Sequence, residues 1–95
     1  MLINGITSDL ISVHDRGLAY GDGIFETIRF HNSALVFASL HMQRLRLGCE
    51  CLGLELDFAA LDLEIAQALA MAAISDGVLK IIVTRGAGGR GYRPP

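Results

Sequence analysis

Asp15-Arg16-Gly17-Leu18-Ala19-Tyr20-Gly21-Asp22-Gly23-Ile24-Phe25-Glu26-Thr27 is the stretch whose reading decides the fold. Three glycines fall within seven residues, and an extended, mostly apolar run follows at once. Glycine adopts backbone angles closed to other residues and lets neighbouring groups approach closely. Asp15 and Asp22 are side chains that hydrogen-bond local amides in tight turns. The stretch therefore predicts an ordered turn feeding a strand. From Ile24 to His31 most residues are β-branched or aromatic, which favours extended chain. Glu26, Ile28 and Phe30 fall on one face of that strand, and Phe25, Thr27, Arg29 and His31 on the other. Apolar groups on both faces predict cover on both sides.

Working outward, Asn4-Gly5 between Leu2-Ile3 and Ile6 is a hairpin signal for a type I′ turn. Ile11-Ser12-Val13 reads as a short extended piece leading into the glycine turn. After His31, Asn32-Ser33 reads as a second hairpin turn, with Ala34 to Phe37 as the return strand. Ser39 is the candidate N-cap of a helix from Leu40 to Leu52, closed by Gly53. Asp57 caps a second helix from Phe58 to Ile74. Its Phe58, Leu61, Ile65, Leu69 and Ala72 form an apolar stripe at intervals of three or four. Asp62 and Glu64 in its first turns suit the positive end of the helix dipole. Ser75-Asp76-Gly77 ends it. Val78 to Thr84 is the most apolar strand, so it is expected at the centre of its sheet. The fold class expected is α+β, a mostly antiparallel sheet with two helices packed on one side.

The chain has 95 residues, 52% of them hydrophobic and 19% charged. That length is one domain, and an apolar one for a core so small. The leftover apolar surface is expected to face another domain or a second copy. The net charge of −2 argues against a nucleic-acid binder that relies on bulk positive charge. Seven of the eight basic residues are arginine, and Lys80 is the single lysine. Arginine grips carboxylate or phosphate with a planar fork of donors, which lysine lacks. Cys49 and Cys51 would point to different sides of a helix, so no disulfide between them is expected. Neither they nor His14, His31 and His41 have the spacing of a metal site. The start Met1-Leu2-Ile3-Asn4-Gly5 has no basic, long apolar leader, and no apolar run reaches a membrane span. A cytoplasmic protein without membrane or nucleic-acid partners is the expectation.

Two places could handle an anion. Arg44, early in its helix, can reach back over the preceding strands to grip one. A lone arginine in such a place is far more commonly an exposed helix residue, solvated or paired with Glu50. The tail Arg85-Gly86-Ala87-Gly88-Gly89-Arg90-Gly91-Tyr92 suits a loop wrapped around a small anionic ligand. It equally suits a frayed terminus. Asp22 and Glu26 would lie on the same side of an extended segment, but nothing in the residues marks them as a buried acid–base pair. Gly21-Asp22-Gly23 precedes a strand, whereas a dinucleotide fingerprint follows one.

In order along the whole chain, the pieces resemble the fold-type IV family of pyridoxal-phosphate enzymes. They are the Asn4-Gly5 hairpin, Asp15-Arg16-Gly17, Tyr20-Gly21-Asp22-Gly23-Ile24-Phe25-Glu26-Thr27, His41-Met42-Gln43-Arg44-Leu45 and Thr84-Arg85-Gly86. Within that family, Leu2 to Gly5 and Val78-Leu79-Lys80 leading into Arg85 to Tyr92 look most like aminodeoxychorismate lyase. Branched-chain and D-amino-acid aminotransferases are the alternatives. The resemblance implies pyridoxal phosphate as cofactor, with Arg44 on its phosphate. It implies a small anionic, amino-acid-like substrate under the loop with Arg85, Arg90 and Tyr92, and a homodimer. The family's Schiff-base lysine lies in a second, C-terminal domain. Lys80 matches a structural strand position instead, so no catalytic residue is assigned within residues 1–95. The resemblance thus implies a small domain, inactive without its partner domain. A non-catalytic, self-associating module is the rival from another class.

Overall fold

The structure, a computed structural model, describes residues 1–87. It begins with a two-stranded hairpin, β1 (Leu2–Ile3) and β2 (Ile6–Thr7), paired Leu2 to Thr7 and Ile3 to Ile6. Asn4 and Gly5 both take positive φ, 51° and 80°, as a type I′ turn requires. The extended piece expected at Ile11-Ser12-Val13 does not form. The hydroxyls of Ser8 and Ser12 accept from the backbone N–H of Leu10 and His14 at 3.1 and 3.0 Å. Such local bonds draw the backbone into turns and away from a ladder.

The glycine stretch is more ordered than a turn. It forms a short helix, α1 (Arg16–Tyr20). Asp15 caps it by accepting from Leu18 N–H, and Gly21 closes it in the left-handed conformation at φ 66°. The central strand β3 (Gly23–His31) follows directly. It pairs antiparallel with β4 (Ala34–Leu35) on one edge and with β5 (Gly77–Thr84) on the other. Thus β3 is the middle strand, and the apolar Val78–Thr84 segment lies at an edge of the three-stranded sheet among the described residues. Its apolarity reports the chemistry of its two faces, not how many strands pair with it. The β4 strand is shorter than Ala34 to Phe37 because Phe37 turns left-handed, at φ 57°, into the first long helix.

That helix, α2, spans Ala38–Leu52, and α3 spans Phe58–Ala72. Ser39 lies inside α2 and caps nothing; Phe37 holds the cap position without a side-chain bond. The helix start is set by tertiary geometry, where Val36 N–H bonds Arg29 C=O across the hairpin at 2.8 Å. The other expected caps form. Gly53 closes α2 at φ 65°, and Asp57 Oδ1 accepts from Ala60 N–H at 3.1 Å. No helix among the described residues is long and apolar enough to cross a membrane.

Both long helices pack on one face of the sheet, giving an α+β fold of two layers. Ile28 of β3 is fully buried, with Leu45 and Cys49 from α2, Leu61 and Ile65 from α3, and Ile81 and Val83 from β5. Each large aliphatic side chain buried this way stabilises by about 2 kcal/mol. The opposite face is open among the described residues, against the expected cover on both sides. Phe25, Val78 and Ile82 are 61, 63 and 60% exposed there.

Candidate functional site

Strand alternation carries Glu26 to the helix-facing side of β3, where it is 5% exposed. A carboxylate in that position needs partners, and one turn of α2 supplies two. His41 and Arg44 are three residues apart and so share a helix face. His41 Nδ1 meets Glu26 Oε1 at 3.0 Å, and Arg44 Nε donates to Oε1 and Oε2 at 2.9 and 3.0 Å. Burial pushes the Glu26 carboxyl up. Hydrogen bonds from Arg44 and His41, with the charge of both, more than offset this and hold it below the usual glutamate range.

The Arg44 side chain is itself 69% exposed. Its Nη groups have no protein partner among the described residues. Arg44 lines a cleft of about 440 Å³ together with Ile24, Phe25, Glu26, Thr27, Leu45 and Gly48. Gly48 brings α2 close to β3, since a Cβ there would come within 2.8 Å of Ile24 Cδ1. A guanidinium fixed at one edge and open at the other can take a phosphate or carboxylate in fork geometry. Glu50 has no part in holding it; Glu26 does.

Arg85 is engaged elsewhere. Its Nε donates to Asp22 Oδ2 at 2.8 Å, and its Nη2 donates to Leu52 C=O, at the end of α2, at 2.6 Å. Arg16, 1% exposed, donates to the same Asp22 oxygen at 2.9 Å and lies over the Tyr20 ring. The structure therefore does not bring Arg85 to the Arg44 cleft. Arg90 and Tyr92 lie outside the described residues. Asp22 and Glu26 serve different arginines and make no acid–base pair. Lys80 stands opposite Thr27 on the open face, its Nζ 4.8 Å from the Phe25 ring centre. His31 pairs with Asp76 and ties the end of β3 to the turn before β5. Among the described residues no group of three His, Cys, Asp or Glu could hold a metal ion.

Among the described residues three carboxyls are held below their ordinary values. They are Asp22, by hydrogen bonds from Arg85 and Arg16; Glu26, as above; and Asp76, by His31. A lowered folded value gives stability that is present above the unfolded value and lost as pH falls through the folded one. Their ordinary values are 3.8 for Asp and 4.5 for Glu, so the loss begins in that range. The urea midpoint is expected to stay level from about pH 7 to 5 and to drop steadily below about pH 4. Added salt weakens the Asp76 share first, because that pair is the most exposed. A midpoint that rises on acidification would contradict the assignment.

The amino-transferase class IV family model matches residues 23–95. A D-alanine aminotransferase from Staphylococcus aureus is 36% identical over 87 residues, covering 90% of this chain and 31% of the relative. The crystal structure of 4-amino-4-deoxychorismate lyase from Pseudomonas aeruginosa superposes with a TM-score of 0.83 at 47% identity. It covers 97% of this chain and 33% of the lyase chain. A hypothetical aminotransferase from Mycobacterium tuberculosis, in a PLP-bound form, superposes with a TM-score of 0.77 at 26% identity. There the match covers 92% of this chain and 32% of the other. The chain thus spans about a third of the length of these relatives. With the α+β fold, the Glu26–Arg44 site and these matches together, the chain belongs to the amino-transferase class IV family, whose members are pyridoxal-phosphate-dependent lyases and aminotransferases.

Proposed function

We propose that residues 1–95 form the small domain of a pyridoxal-phosphate-dependent aminodeoxychorismate lyase. That enzyme converts 4-amino-4-deoxychorismate to 4-aminobenzoate and pyruvate. The observation that carries the proposal is Arg44, fixed at Nε by Glu26, largely exposed and lining the cleft. That arrangement fits the phosphate of the cofactor. When bound, pyridoxal phosphate supplies the electron sink for bond breaking next to the substrate amine. Arg44 would hold and orient it through the phosphate. Lys80, over the Phe25 ring on the sheet, is not the lysine that joins the cofactor; that residue belongs to the second domain, and the small domain alone is inactive. The second domain covers the open face with Phe25, Val78 and Ile82, and the complete enzyme is a homodimer. Arg85 reaches the active site through the backbone it anchors, and Arg90 and Tyr92 bind the substrate.

The 47% identity to the Pseudomonas aeruginosa lyase structure supports the lyase reading. The D-alanine aminotransferase match still makes amino transfer the second reading. The test uses the full-length protein. Release of pyruvate from 4-amino-4-deoxychorismate is expected, without amino transfer to 2-oxoglutarate. Arg44→Ala should weaken pyridoxal phosphate binding about 10- to 100-fold, the loss of about 1.5–3 kcal/mol of charge-assisted hydrogen bonding. A full-length protein that binds no pyridoxal phosphate would end the proposal; amino transfer without pyruvate release would replace lyase with aminotransferase.

A further inference from the structure

Glu26 has no duty in the reaction as described, yet it is a buried charge at the edge of the candidate phosphate site. Burying a carboxylate is costly unless it is paired and hydrogen-bonded. Here both oxygens accept from Arg44 Nε, and Oε1 also meets His41 Nδ1. A guanidinium is flat, and its donors lie along fixed edges. When Nε–H is taken by a carboxylate on the inner side, the edge formed by the two Nη groups turns away from it. The exposure of Arg44 agrees, since the side chain is 69% exposed although its Nε is tied down. Left without Glu26, a long arginine side chain would sample many rotamers, and each binding event would have to order it again.

The geometry points to Glu26 as a positioning residue for phosphate recognition. It holds Arg44 by Nε, braced by His41, so that the Nη edge is presented to the phosphate of the cofactor. This inference rests on the Arg44 assignment made above. It makes a prediction whose sign opposes simple charge counting. Glu26 is negative, and its field repels a phosphate, so charge alone says that neutralising it strengthens binding. Positioning says that neutralising it weakens binding. Lysine cannot stand in for Arg44 under this arrangement, because a single ammonium cannot be held at one edge and donate from another.

The experiment measures equilibrium affinity of the full-length protein for pyridoxal phosphate and for pyridoxal, which lacks the phosphate. The ratio of the two isolates the phosphate grip from general damage to the protein, which would lower both affinities together. Glu26→Gln is expected to lower the ratio about tenfold, and Arg44→Ala to lower it at least as far. The double variant should fall no further than Arg44→Ala alone, because Glu26 acts through Arg44. An unchanged or raised ratio in Glu26→Gln, with Arg44→Ala lowered, overturns the positioning role and leaves the Arg44 assignment standing. An unchanged ratio in Arg44→Ala overturns the Arg44 assignment, and the positioning role with it. Should Glu26→Gln fail to fold, the unsubstituted protein still decides by nuclear magnetic resonance. The Arg44 Nε–H proton is expected to be shielded from solvent exchange both before and after phosphate binding. Exchange as fast as in free arginine overturns the proposal.

Discussion

Gly23→Val leaves the chain without a cooperative urea transition at 25 °C. Gly23 opens β3 and pairs with Thr84 of β5. A Cβ on it would lie 2.5 Å from the Val83 carbonyl oxygen and 3.1 Å from Thr84 Cα. Both are backbone atoms of the partner strand, so no side-chain rotation relieves the clash. Either β5 moves away from β3 or the register is lost at the end where α1 and Arg85 are anchored. Overpacking of side chains typically costs about 1–3 kcal/mol, and a clash with a fixed backbone belongs at or above the top of that range. A domain of this length has a thin margin against such a loss. Gly21→Ala makes the comparison. Nothing lies within 4 Å of its would-be Cβ, but its φ is 66°. The cost there is conformational, about 1–2 kcal/mol, and the transition should survive at a lower midpoint. Circular dichroism of the two variants checks this. A Gly23→Val protein that melts as Gly21→Ala does would show that β5 can shift, and that the close approach of the strands is not what holds this corner.

The contrast between those glycines shows which parts of the fold could be read from the residues. Features set within four or five residues were legible. Asn4-Gly5 gives its turn, Asp57 caps α3 and Gly53 closes α2, each through bonds to near neighbours. The helix α1 was not legible. It is five residues long, includes a glycine and has no apolar stripe. What holds it is distant: Thr84 Oγ1 donates to Asp15 at 2.8 Å, and Arg16 N–H bonds Gly86 C=O at 2.8 Å. Sheet order was illegible for a similar reason. The composition of Val78–Thr84 reports apolar faces, and one of those faces stands open among the described residues. In the site, Arg44 could be singled out as an anion grip, but its partner could not. Strand alternation places Glu26 beside Asp22, and only the packing of α2 on β3 separates their roles. Arg85 shows the limit from the other side. An arginine before a glycine-rich run suits a ligand, yet its donors turn to Asp22 and to the carbonyl end of α2.

Asp22→Ala should lower the melting temperature clearly, because it breaks two part-buried ion pairs at once. Asp22 Oδ2 takes hydrogen bonds from Arg16 Nε at 2.9 Å and Arg85 Nε at 2.8 Å. The backbone adds Asp22 N–H to Arg16 C=O and Arg85 N–H to Asp22 C=O, each at 3.1 Å. This one residue thus joins α1, the start of β3 and the end of β5, and through Arg85 the last turn of α2. Removing the carboxylate leaves the backbone bonds but strips the Asp22 bond from Arg16, whose side chain is 1% exposed. In a domain this small even a modest loss of stability shows as a shift of several degrees in melting temperature. Asp22→Asn retains an acceptor without the charge and should lose roughly half as much. The double-mutant cycle with Arg85→Ala identifies the hub. If Asp22 joins Arg85 to this corner, Asp22→Ala and Arg85→Ala together lower the melting temperature by less than the sum of the single shifts. Strict additivity, or an unchanged melting temperature in Asp22→Ala, would mean that the corner is held by its backbone bonds and the close packing at Gly23, and at Gly17, whose would-be Cβ falls against Thr84, instead.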